Sequence, residues 1–282
     1  MTATPATGRS LSKSVIIGLL LGGLFLASIL VYKEAFIGLA ALAAAAGSWE
    51  LATALRVRGW WVQRWPVSIG SLVIMPAAYY GGPYWQWITA LAIVGALIAS
   101  RLVVLLLHPR EGGNKLGDML RDFAAAAFVV IYLPLTTSFT VLLLRRPDDG
   151  RLLVLTLVVT VAMIDTFGYL IGRQLGRHKM APGVSPKKSI EGLIASIVAG
   201  TTSAILFTVF GLGKSWWVGL ILAAVMLLAA IFGDLAESLI KRDLGIKDMS
   251  SWLPGHGGVM DRLDSILPSA LITYLFATFF LN

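Results

Sequence analysis

The chain has 282 residues, of which 57% are hydrophobic and only 13% are charged, and its mean hydropathy is +0.81. About a quarter of the residues in an ordinary soluble domain are charged, so this composition excludes such a fold and predicts a protein embedded in a lipid bilayer. The net charge of +8 could suggest nucleic-acid binding, but the cations are spread over short segments between apolar runs. We therefore expect no nucleic-acid partner, and the absence of cysteine excludes disulfides and thiolate metal sites.

Nine apolar runs follow one another along the chain. A membrane-spanning helix needs about 20 mainly apolar residues, and such runs lie at 13–32, 35–55, 66–82, 84–107, 120–144, 151–174, 189–212, 215–240 and 263–281. The first run is too long for a secretory signal and lacks a small-residue cleavage site, so we expect a retained helix. The runs predict an all-α integral membrane protein with about nine transmembrane helices. We expect a single polytopic domain over 1–282, with a helical scaffold in 1–150 and the functional helices and loops in 151–282.

The distribution of lysine and arginine predicts the orientation of these helices. With nine spans, the N-terminus and the even-numbered loops share one side, which carries 18 of the 23 cations. Since cytoplasmic loops are enriched in Lys and Arg, we expect the N-terminus in the cytoplasm and the C-terminus on the opposite side. Topology and contact with anionic lipid would explain many of these cations without any further function.

Carboxylates concentrate toward the predicted cytoplasmic ends of the last four runs, at Asp165, Glu191, Asp234, Glu237, Asp261 and Asp264. Ionisable groups inside membrane spans are costly, so each needs a partner or a function. Asp234 and Glu237 are spaced to share one helix face, and Asp261 and Asp264 repeat that spacing. Two such helices could bind Mg²⁺, which takes one or two protein carboxylates and completes its shell with water and phosphates. Alternatively, Glu191 and Asp264 could cap helices or interact with the helix dipole. This alternative fits Asp234 poorly, because a negative charge is disfavoured near the C-terminal end of a helix.

A polar segment from Lys241 to Ser265, KRDLGIKDMSSWLPGHGGVMDRLDS, separates the last two apolar runs. Arginine and lysine bind phosphate groups, and the glycines of PGHGG let the backbone approach a ligand closely. With carboxylates on both sides, this mixture is typical of a site for a metal–polyphosphate complex. His256 could position phosphate or act as an acid, or it could be inert.

A second basic loop, GRHKMAPGVSPKKSIEG, precedes the seventh run. Ser185, Lys187, Lys188 and Ser189 form a cluster just before a helix, where free backbone N–H groups favour phosphate. The alternative is a positively charged topology loop with a helix cap at Ser189. Glycines at 168, 172 and 176 indicate close helix packing rather than ligand binding.

The run from Ser238 through LIKRDLGIKDMSSWLPGHGGVMDRLD to Asp264 resembles the signature of the phosphatidate cytidylyltransferase family, also called CDP-diglyceride synthases. The matching positions are Ser238, Lys241, Arg242, Lys247, Asp248, Pro254, His256, Gly257, Gly258, Asp261, Arg262 and Asp264. SPKKSIEG resembles the family's second conserved loop, where threonine is expected as often as Ser189. The resemblance lies in the C-terminal half, because the first four or five runs match only in hydropathy.

The resemblance implies a nine-helix, homodimeric enzyme that joins CTP and phosphatidic acid into CDP-diacylglycerol and pyrophosphate at the cytoplasmic face of a bacterial inner membrane. It implies Mg²⁺ at Asp234 and Asp261, a second, monovalent cation such as K⁺, and dimer contacts in 1–150. Catalytic roles would fall on Asp234, Lys241, Arg242, His256, Asp261, Arg262 and Asp264. Substrate contacts would fall on Asp165, Ser185, Lys187, Lys188, Ser189, Ser238, Lys247, Gly257 and Gly258.

Other functions stay open at this point. A CTP-dependent polyprenol or dolichol kinase would also be a membrane enzyme, but it need not contain the long run that ends in HGGVMDRLD. A CDP-alcohol phosphotransferase is disfavoured because its Asp-Gly-x-x-Ala-Arg pattern is absent. A transporter would place paired carboxylates near the bilayer midplane, whereas these lie at helix ends. Because phosphatidate keeps its acyl chains in the membrane, we expect the site to open sideways to lipid as well as upward to water.

Overall fold

The computed structural model describes residues 11–107, 116–181, 185–253 and 257–281. Ten α-helices account for most of this chain: α1 (Leu11–Val31), α2 (Lys33–Val57), α3 (Arg64–Leu107), α4 (Leu116–Val130), α5 (Thr136–Arg145), α6 (Gly150–Leu175), α7 (Ile190–Leu206), α8 (Trp216–Leu244), α9 (Met260–Leu263) and α10 (Ile266–Phe280). Two π-helical turns, Ile131–Leu135 and Phe207–Gly211, join α4 to α5 and extend α7. The predicted all-α membrane fold is confirmed.

Seven helical segments of the described chain are long and apolar enough to cross a membrane: Lys33–Val57, Arg64–Leu107, Leu116–Arg145, Gly150–Leu175, Ile190–Gly211, Trp216–Leu244 and Met260–Phe280. These segments coincide with eight of the nine predicted runs, because the third and fourth runs both lie within Arg64–Leu107. The remaining run, 13–32, coincides with α1. The count of nine spans and the orientation in the membrane stay predictions.

Helix α3 reverses direction at Gly82. This residue has φ 77° and ψ −165°, which is outside the helical region and is accessible mainly to glycine. Pro83 follows it and cannot donate a backbone hydrogen bond. A Cβ atom on Gly70 would lie 2.7 Å from Ile93 Cγ1, although these positions would be about 35 Å apart in a straight α-helix. The two halves of α3 therefore pack against each other as an antiparallel pair.

A small antiparallel sheet lies between α6 and α7 and was not predicted. Strand β1 (Lys179–Ala181) pairs with β2 (Ser185–Ser189), and Lys179 lies opposite Ser189. The strands carry lysine, serine and proline without an apolar alternation, so periodicity gives no signal for them. The sheet places Lys188 two residues before the start of α7.

Close packing between α6 and α7 fixes the position of this sheet. A Cβ atom on Gly192 would lie 2.6 Å from the carbonyl oxygen of Gly168 and 3.1 Å from Cα of Gly172. Ser196 Oγ donates to the carbonyl oxygen of Ile164 at 2.7 Å. Small residues let the two helix backbones approach in this way, so the predicted packing role of the glycines is confirmed.

Polar contacts between distant segments gather at one end of the helix bundle. Arg101 donates twice to Asp122 Oδ2, at 3.0 and 2.8 Å, and the N–H of Trp61 donates to Asp122 Oδ1 at 2.8 Å. Arg58 donates to the carbonyl oxygen of Asp243, near the end of α8. The segments after α2, in α4 and at the end of α8, which the charge distribution assigns to one side, thus lie together.

Candidate active site

Helix α8 contributes the first acidic group of the site. Asp234 forms an ion pair with Lys188, and Ser238 Oγ lies 3.5 Å from Asp234 Oδ1. The side chains of Asp234 and Lys188 are 31% and 25% exposed, so solvent or a ligand can reach both. The basic loop that precedes α7 therefore meets helix α8 at this ion pair.

Lys241, about two turns further along α8, contacts two carboxylates. Its Nζ lies 3.1 Å from Glu237 Oε2 and 2.8 Å from Asp261 Oδ1. The side chains of Glu237 and Asp261 are 0% and 5% exposed, so the ammonium group compensates buried negative charge. This cluster joins α8 to α9.

Asp261 also organises the backbone that connects the two helices. Its Oδ2 accepts hydrogen bonds from the N–H of Met249 at 2.9 Å and of Gly258 at 2.7 Å. Leu253 and Gly257 exchange backbone hydrogen bonds of 2.9 and 3.1 Å. One carboxylate thus contacts both ends of the polar connection between α8 and α9.

Glu50 of α2 is the residue that the sequence analysis missed. Its Oε1 accepts hydrogen bonds from Ser250 Oγ at 2.5 Å and from the N–H of Val259 at 3.0 Å. Its Oε2 accepts one from the N–H of Met260 at 2.9 Å. The available signal was a carboxylate inside an otherwise apolar run. This contact brings a helix of the predicted scaffold, 1–150, to the site, and the division of the chain into two functional parts stays a prediction.

Two glycines allow the connection to pass close to these carboxylates. Gly257 has φ 85°, and a Cβ atom there would lie 2.8 Å from Asp261 Oδ2. A Cβ atom on Gly258 would lie 2.6 Å from Glu50 Oε2. The described contacts therefore explain why glycine occupies both positions. Contact of these glycines with substrate stays a prediction.

Further carboxylates border the same region. Ser265 Oγ lies 3.4 Å from Asp165 Oδ1 and 3.4 Å from Asp264 Oδ1. Asp165 interacts electrostatically with Asp264, Asp234 and Lys188. Within the described residues, the buried Oε1 of Glu237 has no hydrogen-bond donor. Carboxyl groups thus outnumber the two lysines, Lys188 and Lys241, in this region.

At the start of α7, two predicted groups have structural partners. Ser189 is buried and caps the helix, since its Oγ accepts the N–H of Gly192 at 3.2 Å. Glu191 accepts the N–H of Arg177 at 3.1 Å, and its Oε1 lies 2.7 Å from His178 Nδ1. The alternative of capping and dipole contacts is thus observed at this helix, and a substrate contact for Ser189 stays a prediction.

The remaining predicted site residues lie around these carboxylates and lysines, or outside the residues that the structure describes. Arg242, Lys247 and Arg262 are exposed at or near the ends of α8 and α9. For Ser185 and Lys187 only the backbone of β2 is described, and Pro254 and His256 lie outside the described residues. Their proposed roles stay predictions.

The donor set fits a hard divalent cation. Carboxyl oxygens are abundant and outnumber the two lysines, and Glu237 Oε1 is a buried oxygen without a hydrogen-bond partner in the described chain. No group of three or more Asp, Glu or His side chains in the described residues is arranged around a metal position. Mg²⁺ does not require one, because it commonly uses one or two carboxylates together with water and phosphates.

The sequence is similar to those of known membrane-lipid enzymes, as one family profile and several relatives show. The sequence profile described as the cytidylyltransferase family matches residues 12–280. A phosphatidate cytidylyltransferase of Mycobacterium leprae is 38% identical over 98% of this chain and 90% of its own length. Those of Mycobacterium tuberculosis (strain H37Rv) and Brucella melitensis are 35% and 30% identical, over 98% and 80% of this chain and 85% and 74% of their own lengths. The chain belongs to the cytidylyltransferase family of membrane enzymes.

Proposed function

We propose that this enzyme joins CTP and phosphatidic acid to give CDP-diacylglycerol and pyrophosphate. A phosphate oxygen of phosphatidate attacks the α-phosphorus of CTP, the bond to the bridging oxygen of the β-phosphate breaks, and pyrophosphate leaves. Family membership and the names of the relatives support the reaction. The observation that carries the site is the cluster of Lys188, Asp234, Lys241 and Asp261, which mixes both charges where β2, α8 and α9 meet.

The chemistry of this cluster suits a reaction between two anions. Such a transfer needs positioning and charge neutralisation more than a covalent nucleophile. Lys188 and Lys241 now contact carboxylates, and as mobile point charges they can turn to phosphate oxygens when substrate arrives. Asp234 and Asp261 would then be available to a cation.

Mg²⁺ is part of this proposal, with Asp234 and Asp261 as its protein ligands. When bound, it would neutralise charge on the phosphates and polarise them toward attack. A second, monovalent cation such as K⁺ and a homodimeric assembly are further parts that only the family resemblance supports.

We place the site at the cytoplasmic face of the inner membrane. The supporting observation is the excess of lysine and arginine in the segments that gather at this end of the bundle. Phosphatidate would enter sideways from the lipid, because exposing its acyl chains to water costs about 0.8 kcal/mol per CH₂ group. Asp165 is exposed on α6 beside this region. The lipid headgroup would approach the site from the side on which Asp165 lies.

Radiolabelled CTP tests the reaction directly. Purified protein is incubated with phosphatidate, Mg²⁺ and CTP carrying ³²P at either the α or the γ position, and the lipid is extracted. Label in lipid from the α position alone is the expected result. Label from the γ position alone would indicate a lipid kinase, and no label from either would refute the proposed reaction.

A further inference from the structure

We propose that Glu50 is a positioning residue for cytidylyl transfer, which holds the segment Gly258–Met260 and thereby fixes Asp261. The inference rests on the proposed function, because it assigns Asp261 to the reacting centre. Glu50 is buried and both of its carboxylate oxygens accept hydrogen bonds from protein groups, so we assign it a positioning role rather than contact with substrate.

The burial of Glu50 demands compensation. The residue is 2% exposed and lies in a helix that is long and apolar enough to cross a membrane. A carboxylate in that setting is costly unless it is paired or hydrogen-bonded. All three of its described hydrogen bonds go to one distant stretch of the chain, at Ser250, Val259 and Met260. The contacts of Glu50 are therefore specific to the connection between α8 and α9.

Glu50 and Asp261 hold the same two pieces of backbone. Three consecutive N–H groups, those of Gly258, Val259 and Met260, donate to Asp261, Glu50 and Glu50 respectively. At the other end of the connection, Met249 donates its N–H to Asp261, and the adjacent Ser250 donates its hydroxyl to Glu50. A displacement of either carboxylate therefore changes the support of the other.

The geometry requires a carboxylate rather than an amide at this position. The N–H groups of Val259 and Met260 contact different oxygens of Glu50, Oε1 and Oε2. Glutamine has one acceptor oxygen and one NH₂ donor, so either orientation of its amide would direct a donor at a backbone donor. Glu50→Gln thus breaks the contact while it keeps the size of the side chain.

The experiment compares Glu50→Gln with Glu34→Gln, which makes the same change at an exposed position of the same helix. We expect Glu50→Gln to lower kcat about 10- to 100-fold, since small misplacements of reacting groups cost this much, with KM for CTP changed less. Hydrogen–deuterium exchange should rise in peptides that contain Gly258–Met260 and stay unchanged in α3 and α6. Glu34→Gln should change neither readout.

Two results would overturn the inference: an unchanged kcat in Glu50→Gln, or exchange that rises throughout the protein and reports general destabilisation. If Glu50→Gln cannot be purified in folded form, Ser250→Ala removes one of the three contacts. It should raise exchange at Gly258–Met260 and lower kcat by a smaller factor, and no change in either quantity would also overturn the inference. Wild-type protein without cytidylyl transfer would refute the proposed function instead, and the exchange measurement would still test the contact.

Discussion

Lys188, the penultimate residue of β2, forms an ion pair with Asp234 of α8. The pair joins the β1–β2 hairpin to α8, although the whole of α7 separates the two residues in sequence. Both side chains are partly exposed, so the pair can open when an anionic substrate or a cation arrives. Substitution of each partner tests a different part of the proposed chemistry.

Asp234→Asn should lower turnover by orders of magnitude, equivalent to several kcal/mol of transition-state stabilisation. The substitution keeps the size of the side chain and removes the charge proposed to bind Mg²⁺. The measurement is the rate of cytidylyl transfer over a range of Mg²⁺ concentrations. Asp243→Asn is the matched control, because it lies exposed at the end of the same helix. Turnover close to wild type in Asp234→Asn at ordinary Mg²⁺ would refute the metal assignment.

Lys188→Ala should raise KM for CTP or phosphatidate, or lower kcat, because it removes a cation proposed to bind phosphate. Lys179→Ala tests whether position matters, since Lys179 is an exposed lysine on the paired strand β1. Steady-state kinetics with each substrate varied in turn provide the readout. Equal effects of both substitutions would show that Lys188 contributes only positive charge and that its position does not matter.

The arginines at the C-terminal end of α2 should act differently from Lys188. Arg56 donates to the carbonyl oxygen of Val62 at 2.9 Å and lies over the Trp61 ring, while Arg58 contacts the end of α8. These contacts are structural, so we expect the double substitution of both arginines to alanine to lower the yield of inserted, folded protein. Its specific activity, measured per folded molecule, should exceed that of Lys188→Ala, and the reverse order would show that the two loops have been assigned wrongly.

Two glycines in the connection between α8 and α9 allow the effect of backbone strain to be distinguished from that of a close contact. Gly245 has φ 72° with no atom within 4 Å of the position that a Cβ atom would take, whereas Gly257 combines φ 85° with a close approach to Asp261. Gly245→Ala should therefore cost only the strain of about 1–2 kcal/mol for a left-handed residue. Gly257→Ala should in addition displace Asp261 and abolish most activity, as measured by cytidylyl transfer and thermal unfolding. Equal activity in the two variants would contradict the close contact.

Hydropathy predicted the helices well because membrane spans depend on a property of each segment alone. The run predicted at 151–174 corresponds to Gly150–Leu175, and the break predicted between residues 82 and 84 corresponds to the reversal at Gly82. The spacing of Asp261 and the glycines near it likewise predicted a polar cluster. These features are encoded within a few residues of one another.

Contacts between distant segments could not be predicted in the same way. Glu50 meets Val259 and Met260 from more than 200 positions away, and nothing in the sequence around Glu50 specifies those partners. The β1–β2 hairpin was missed because its pairing lacks an apolar alternation. The sequence predicted that the basic loop before α7 and the carboxylates of α8 lie on one side of the membrane, but it did not predict that Lys188 and Asp234 would touch.

Breaking the buried ion pair of Arg101 and Asp122 should destabilise the protein far more than breaking the exposed pair beside it. The side chains of Arg101 and Asp122 are 7% and 2% exposed, and removing one partner of a buried pair leaves an uncompensated charge at a cost of about 3–5 kcal/mol. Arg121 and Asp118 form a 3.4 Å pair with side chains 38% and 35% exposed, which is worth about 0–1 kcal/mol.

Asp122→Asn should therefore lower the midpoint of thermal unfolding in detergent by several degrees, whereas Asp118→Asn in the same helix should leave it nearly unchanged. Asp122 also accepts the N–H of Trp61, so its loss should loosen the segment after α2 as well. Fluorescence of variants in which Trp61 is the sole remaining tryptophan would report the loosening locally. If the two aspartate substitutions lowered the midpoint equally, burial would not be what makes the loss of one partner of the Arg101–Asp122 pair costly.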